Sequence, residues 1–287
     1  MSGGRLFVVA TPIGNLADIT LRAIETLGAV PLIAAEDTRL TRRLLDRHGI
    51  ATRTTSYHAR SGPGRLTELL DHLRGGADLA LVTDAGTPSV SDPGEDLVAA
   101  WAAEGGVVVP LPGASAVLAV LAATVVGGPR WSFEGFLPRS GRDRKERIAR
   151  IAADDRGTVI YEAPSRVPAT LADLSSACGA DRPAAIGREL TKLHEEIVRG
   201  SLGELAERAR SGELTLRGEF AIVVGAWRDR PDSEAAAAAT EDREAAALAE
   251  VERRVAGGAS RGDAARTVSA ETGIPRRKLY RPEPDAR

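Results

Sequence analysis

The sequence predicts an α/β protein of two α/β domains, the first with a mainly parallel sheet and the second with a mixed sheet, followed by a small C-terminal helical module. Three observations predict it. Short Val/Leu runs alternate with amphipathic stretches over the first 125 residues, the pattern of a parallel sheet covered on both faces. Gly127-Gly128-Pro129 then breaks the alternation, and a second α/β stretch begins. Beyond Arg228 the chain turns Asp/Glu/Ala-rich, and its last forty residues read as short helices joined by Gly-containing turns. A length of 287 residues suits two domains that each bury a core. The expected bounds are 1–126 and 127–228 for the α/β domains, 229–247 for a linker and 248–287 for a helix-turn-helix-like tail.

In the first domain, Leu6–Ala10 reads as a buried strand, followed by a helix from about Ile19 to Leu27. Leu32–Ala35 is the second strand, and Leu40, Leu44 and Leu45 mark the helix after it. Thr54–Tyr57 is a weaker strand, and Leu66, Leu69, Leu70 and Leu73 recur at helical spacing. Leu79–Thr83 and Val107–Leu111 are strands, with helices over Glu95–Glu104 and Ala114–Thr124. The second domain opens with a strand at Ser132–Leu137 and a charged helix at Arg142–Ala153. Thr158–Tyr161 is a strand and Pro168–Ser176 a helix. Ala184–Leu190, Glu196–Arg199 and Phe220–Ala226 complete the sheet, with Leu202–Arg210 as a helix. Several of these strands follow one another without a long crossover, which predicts mixed pairing.

Ala235–Ala239 is a run of five alanines among acids, a linker or a solvated helix. Leu248, Val251 and Val255 keep helical spacing until Gly257-Gly258. Ser260 caps a second helix with Ala264, Ala265 and Val268 on one face. After the turn Thr272-Gly273-Ile274-Pro275, Arg276, Arg277, Lys278 and Tyr280 open a third.

Composition removes several classes of function. With 38 Lys+Arg against 40 Asp+Glu the net charge is −2, so nucleic acid is not held by bulk charge and any such contact is local. One cysteine, Cys178, excludes an intramolecular disulfide framework and Cys-rich zinc sites. His48, His58, His72 and His194 are scattered, so no His-ligated metal is expected. The chain runs from Met-Ser-Gly-Gly-Arg straight into a five-residue apolar strand, too short for a signal peptide or a membrane span. A cytoplasmic protein without a membrane partner is expected.

Four loops carry candidate chemistry, each at the carboxyl end of a predicted strand. Thr11-Pro12-Ile13-Gly14-Asn15-Leu16 is a Gly-bearing turn without the glycine spacing of a dinucleotide fold or the P-loop lysine. A ligand turn and a plain structural turn both stand open for it. Thr83–Gly94 packs small, hydroxyl and turn-forming residues into twelve positions, suited to hold a ligand by main chain. Pro112–Ala116 repeats that chemistry after the next strand. Ala35-Glu36-Asp37-Thr38-Arg39 is either a helix start capped by Thr38 or part of a cleft floor.

The segments TPIGNLADIT (Thr11–Thr20), AEDTR (Ala35–Arg39), TDAGTPSVSDPG (Thr83–Gly94), LPGASA (Leu111–Ala116), FEGFLP (Phe133–Pro138), YEAPSR (Tyr161–Arg166), RELTKLHEE (Arg188–Glu196) and GEFAIVV (Gly218–Val224) occur in that order. On them, from Leu6 to about Tyr280, the chain resembles the tetrapyrrole-methylase superfamily of S-adenosylmethionine-dependent methyltransferases. Within that superfamily it is similar to the branch that methylates a cytidine ribose 2′-oxygen in small-subunit (16S) ribosomal RNA. The resemblance implies a cofactor cleft between the two α/β domains, with S-adenosylmethionine held by Pro12, Gly86, Thr87, Pro88, Val90, Ser115 and Ala116. It implies a cytidine of the decoding centre in the assembled small subunit as acceptor, and a homodimer. Two departures stand out: Thr11-Pro12-Ile13-Gly14-Asn15 replaces the Gly-x-Gly-Pro-Gly turn of the porphyrin enzymes, and Ser165 stands where the ribosomal branch usually has His.

A ribose 2′-hydroxyl is a poor nucleophile at neutral pH and gains from a carboxylate base. Asp37 and Glu36 are the sequence's candidates, with Arg39 orienting a carboxylate or holding a phosphate; Glu195 and Glu196 are alternatives. Over residues 251–287 nine Lys/Arg face five acids, and the cluster Arg276, Arg277 and Lys278 is the expected RNA contact. Two other readings are a precorrin-type C-methyltransferase and a non-catalytic RNA-binding assembly protein that keeps the fold. The first lacks its glycine turn here, and the second leaves the loops at Gly86–Val90 and Pro112–Ala116 without a purpose.

Overall fold

A computed structural model describes residues 3–226 and 231–280, with side chains described outside 231–243. The chain forms two compact units, one ending at Ala226 and the other beginning at Trp227.

The first unit holds two lobes. In chain order the first lobe contains β1 (Arg5–Val9), α1 (Leu21–Ala29), β2 (Leu32–Ala35), α2 (Thr38–Arg47), β3 (Thr54–Ser56), α3 (Pro63–Arg74), β4 (Leu79–Val82), α4 (Glu95–Ala103), β5 (Val107–Leu111) and α5 (Ala116–Thr124). Its strands pair in the order β3-β2-β4-β1-β5, all parallel, as the Val/Leu runs predict. β4, Leu-Ala-Leu-Val, is buried along its whole length because helices cover both faces of the sheet. One face packs Val9, Ile33, Ala80 and Val82 against Leu27 and Leu45. The other packs Leu6, Leu79 and Leu81 against Leu69, Leu73, Leu97 and Trp101.

The second lobe contains β6 (Trp131–Phe136), α6 (Gly141–Ala153), β7 (Gly157–Glu162), α7 (Val167–Cys178), β8 (Pro183–Arg188), β9 (Glu196–Ser201), α8 (Leu202–Ser211) and β10 (Phe220–Val224). Its order is β6-β7-β10-β8-β9. β6 and β7 are parallel and the other three pairings antiparallel, the mixed sheet expected. α6, α7 and α8 cover one face through Ile148, Leu171 and Leu205. The opposite face receives α5 of the first lobe: Val117 and Val120 join Val159, Ala185, Ala221 and Val223 in one apolar cluster. Through that shared cluster, one helix lodges on the other lobe's sheet and joins the lobes on either side of Gly127-Gly128-Pro129.

The second unit holds α9 (Pro231–Ala256), α10 (Arg261–Thr272) and α11 (Arg276–Leu279). Helix therefore begins at Pro231, inside the stretch for which a linker or a solvated helix was expected. Ser260 caps α10 by accepting from the Asp263 N–H, as its sequence position predicts. Val251, Ala264, Ala265, Val268 and Leu279 form the unit's own small core. Among the described residues no helix is long and apolar enough to cross a membrane.

Candidate functional site

The loops leaving the carboxyl ends of β2, β4, β1 and β5 stand side by side along one sheet edge, in the order the strands take. The two central ones are stitched together. Thr11 N–H donates to Gly86 O at 2.8 Å, Gly86 N–H returns to Thr11 O at 3.1 Å, and the buried Thr11 hydroxyl donates to Thr83 O at 3.0 Å. Gly86 sits at φ +82°, which an L side chain rarely adopts. Farther along the same loop Ser89 (φ +69°) and Ser91 (φ +63°) are also left-handed without being glycine. Such backbone costs about 1–2 kcal/mol per residue and collects at functional sites.

Between the lobes, within the first unit, lies a cavity of about 380 Å³. This lies in the range of small-ligand sites, roughly 300–1,000 Å³. Gly86, Thr87, Val90, Ser115 and Ala116 line it, five of the residues expected there. Pro12 and Pro88 are buried and stand outside the lining, while Ile13, next to Pro12, belongs to it. The second lobe contributes Phe136, Tyr161 and Phe220. Tyr161 meets Phe133 and Phe136 edge-on, at centroid distances of 4.9 and 5.7 Å. In a chain only 3% aromatic, this concentration of rings makes a wall suited to a planar ligand.

Three carboxylates line the cavity, and they differ in what holds them. Glu162 is buried and committed. Its carboxylate accepts from the Thr170 hydroxyl at 2.6 Å and from the Ala163 N–H at 2.9 Å, and it pairs with Arg166 at 3.2 Å. Glu219 is exposed and pairs with Lys192 at 3.1 Å. Asp92 is half-buried, and among the described residues its side chain has neither a hydrogen bond nor an ion pair. Burial, with the carboxylates of Glu36, Asp84 and Glu219 nearby, pushes Asp92 up to about 7. In the sequence Asp92, Tyr161 and Phe220 stand out only as members of the motifs TDAGTPSVSDPG, YEAPSR and GEFAIVV. The available signal was a carboxylate set among Ser, Pro and Gly just beyond a fully buried strand.

The turn after β1 proves to be shaped by protein. A β-carbon on Gly14 would lie 2.3 Å from Lys192 Cγ, 2.9 Å from Thr191 Oγ1 and 3.1 Å from Leu190 O. Asn15 N–H donates to Thr191 Oγ1 at 3.1 Å. Gly14 therefore admits the loop between β8 and β9 and not a ligand, and the two lobes meet there.

The profile described as Tetrapyrrole (Corrin/Porphyrin) Methylases matches residues 5–206. The chain belongs to the tetrapyrrole methylase family. It is 44% identical over 281 residues to ribosomal RNA small subunit methyltransferase I of Synechocystis sp., with 96% of each chain covered. It is 45% identical over 230 residues to the protein of the same name from Mesorhizobium japonicum, covering 80% of this chain and 78% of that one. Uroporphyrin-III C-methyl transferase from Thermus thermophilus, complexed with S-adenosyl homocysteine, shares the fold at a TM-score of 0.57 and 19% identity, over 77% of this chain and 97% of that one.

In this tetrapyrrole methylase, Glu36, Asp37 and Arg39 stand outside the cavity lining. Asp37, not Thr38, caps α2: its carboxylate accepts from the Arg39 N–H at 2.8 Å and pairs with the Arg39 guanidinium at 2.7 Å. Those bonds to Arg39 hold Asp37 down at about 2, which suits a cap and ill suits a proton acceptor near neutral pH. Glu36 accepts from the Asp84 N–H at 3.2 Å, and Asp84 accepts from the Asp37 N–H at 2.9 Å. Partial burial raises both Glu36 and Asp84. Ser165 is exposed one position beyond Pro164, which lines the cavity. Glu195 accepts from the Thr191 N–H at 2.6 Å and Glu196 pairs with Arg188 at 2.9 Å, so both brace the β8–β9 loop. Among the described residues no group of three His, Cys, Asp or Glu is arranged to hold a metal ion.

In the second unit much of the positive charge is spent internally. Lys278 pairs with Glu244, Arg254 with Glu250 and Glu271, and Arg261 with Glu252. Arg276 and Arg277 have no ion-pair partner among the described residues. Arg281 and Arg287, which add to the sequence's basic count, lie outside the described residues.

Proposed function

We propose that this chain is an S-adenosylmethionine-dependent methyltransferase of ribosomal RNA. Its finer assignment is the ribose 2′-oxygen of a cytidine in the decoding centre of the small subunit, methylated on the assembled particle by a cytoplasmic homodimer. One observation carries the reading. A single cavity gathers the loops after β1, β4 and β5 against an aromatic wall, in a chain whose 44%-identical relative is named as a small-subunit ribosomal RNA methyltransferase.

The residues present fit the cofactor. Gly86, Thr87, Val90, Ser115 and Ala116 would hold it, offering small side chains and main-chain polar groups on an otherwise apolar surface. When bound, S-adenosylmethionine supplies a methyl group on a positively charged sulfonium. Asp92, Glu162 and Glu219 place carboxyl groups around that space, and Phe136, Tyr161 and Phe220 line it with rings. Positioning then supplies much of the acceleration. Mass mapping of ribosomal RNA from cells with and without the protein tests the assignment. A missing methyl on one small-subunit cytidine ribose is the expected result, and identical maps would overturn it.

Asp37→Ala is expected to melt earlier than the wild type, because α2 loses its cap, and to keep its affinity for S-adenosylmethionine. Normal melting with turnover lost would return Asp37 to the chemistry.

Arg276, Arg277 and Lys278 on α11 are the proposed RNA contacts of the tail, with the two arginines foremost because Lys278 is engaged by Glu244. Truncation after Arg230 is expected to leave cofactor binding intact, since the cavity belongs wholly to the first unit. Affinity for the small subunit should fall, most at low salt, where phosphate contacts are strongest. Calorimetry and filter binding check the two halves. Unchanged subunit affinity at low and high salt would make the tail structural.

A further inference from the structure

The three cavity carboxylates are not equivalent, and their differences assign a role. Glu162 is locked by Thr170, Ala163 and Arg166, and its protonation would break a buried network. Glu219 is exposed and offset by Lys192. Asp92 alone among the three faces the cavity without a donor or a cation, and two left-handed serines, Ser89 and Ser91, set the backbone before it. A carboxylate with free lone pairs, on the wall of a cleft where a hydroxyl must be activated, has the geometry of a proton acceptor.

We propose that Asp92 is the general base that takes the 2′-hydroxyl proton of the acceptor ribose. The inference rests on the ribosomal RNA reading above. As the bond from the 2′-oxygen to the methyl carbon forms, the carbon–sulfur bond of the sulfonium donor breaks and its electron pair stays on sulfur. The 2′-hydroxyl proton passes to the Asp92 carboxylate and from there to solvent. Charge balances: a cationic donor and a carboxylate become a neutral thioether and a carboxylic acid.

The surroundings of Asp92 tune it for that task. Glu36 and Asp84 approach from the β2 and β4 ends, Glu219 from the segment before β10, and the Tyr161 phenol from β7. The cations that pair with the other two cavity carboxylates are engaged by them, Lys192 by Glu219 as well as Glu189, and Arg166 by Glu162. The carboxyl titrates at about 7 instead of its ordinary 3.8, so near neutral pH it is both available as a base and strong enough to act as one.

The test uses the full chain, S-adenosylmethionine and small subunits from cells lacking the protein. Wild-type kcat is expected to rise with pH through about 7 and then level, because the base acts deprotonated. Asp92→Asn should lower kcat by about 100- to 10,000-fold, abolish that rise and leave cofactor affinity unchanged by calorimetry. A second readout needs no bound ligand. The folded state binds the Asp92 proton more tightly than the unfolded state, so this group's stabilisation is complete below 3.8 and lost as pH rises through about 7. The melting temperature of Asp92→Asn should therefore gain on that of the wild type between pH 5 and 8. The same comparison with Asp92→Ser covers a failure of the amide to fold. Wild-type kcat in either variant, with the pH rise intact, would overturn the base while leaving the ribosomal reading in place. No methyl transfer by the wild type at any pH, with cofactor bound, would overturn both.

Discussion

Gly86→Leu is expected to bind S-adenosylmethionine about 100-fold or more weakly than the wild type, a loss of roughly 2.7 kcal/mol or more. Two effects act together. Gly86 holds φ +82°, where an L residue costs about 1–2 kcal/mol, and its N–H and C=O are both committed to Thr11, so the backbone has little freedom to relax. The side chain would also project where the cavity wall is now only backbone. A first side-chain carbon at this position has ordinary room, its nearest neighbour being Ile13 Cγ2 at 3.6 Å, so the substitution strikes the ligand space harder than the core. Calorimetry reads the affinity, and thermal melting should show only a modest fall. Wild-type affinity in a folded variant would remove this loop from the site.

Arg182→Ala is expected to destabilise the fold strongly, by about 3–5 kcal/mol. The arginine is 1% exposed. Its Nε donates to Gly225 O at 2.9 Å, and its terminal nitrogens donate to Ile151 O, Asp154 O and Arg156 O at 3.0–3.3 Å. These carbonyls end α6, follow it, and follow β10, so one side chain closes three segments at one end of the second lobe. Truncation leaves them without a donor and opens a space the size of the side chain. A fall of roughly 10 °C in melting temperature follows for a unit of this size. Arg182→Lys should rescue little, because an ammonium cannot reproduce the fork that reaches several carbonyls at once. Melting within about 2 °C of the wild type would show that water or relaxed backbone replaces the guanidinium.

Strands and helices were legible because their signals are local. Val and Leu runs mark β1, β4 and β10, and Leu spacing marks α3. The α2 cap was misread by one position: Thr38 and Asp37 are both good capping residues, and only the backbone shows that Asp37 holds the extended conformation before the first turn. Gly14 was legible as a position needing a small residue but not for its reason, since what crowds it is Lys192 and Thr191, far along the chain. Asp92 shows the same limit for the site. Its loop was evident from composition, yet its character comes from Glu36, Asp84, Glu219 and Tyr161, which reach it from separate elements. Arg182 left no signal at all, because a lone arginine becomes exceptional only when its carbonyl partners are known.

The pairing of β1 has a consequence for how the chain is made. β1 has two neighbours, β4 at Leu79–Val82 and β5 at Val107–Leu111. A chain synthesised at about 5–20 residues per second therefore holds its first strand without either neighbour for several seconds. The second sheet is the converse case: β10, the last strand made, fills the gap between β7 and β8. Each lobe is locked by a strand from one extreme of its own segment, so neither closes progressively as it leaves the ribosome. Apolar strand edges stay open through synthesis, first around β1 and later between β7 and β8. Nascent chains of this protein should thus be bound by chaperones until about residue 111 has emerged, and again until Val224 has.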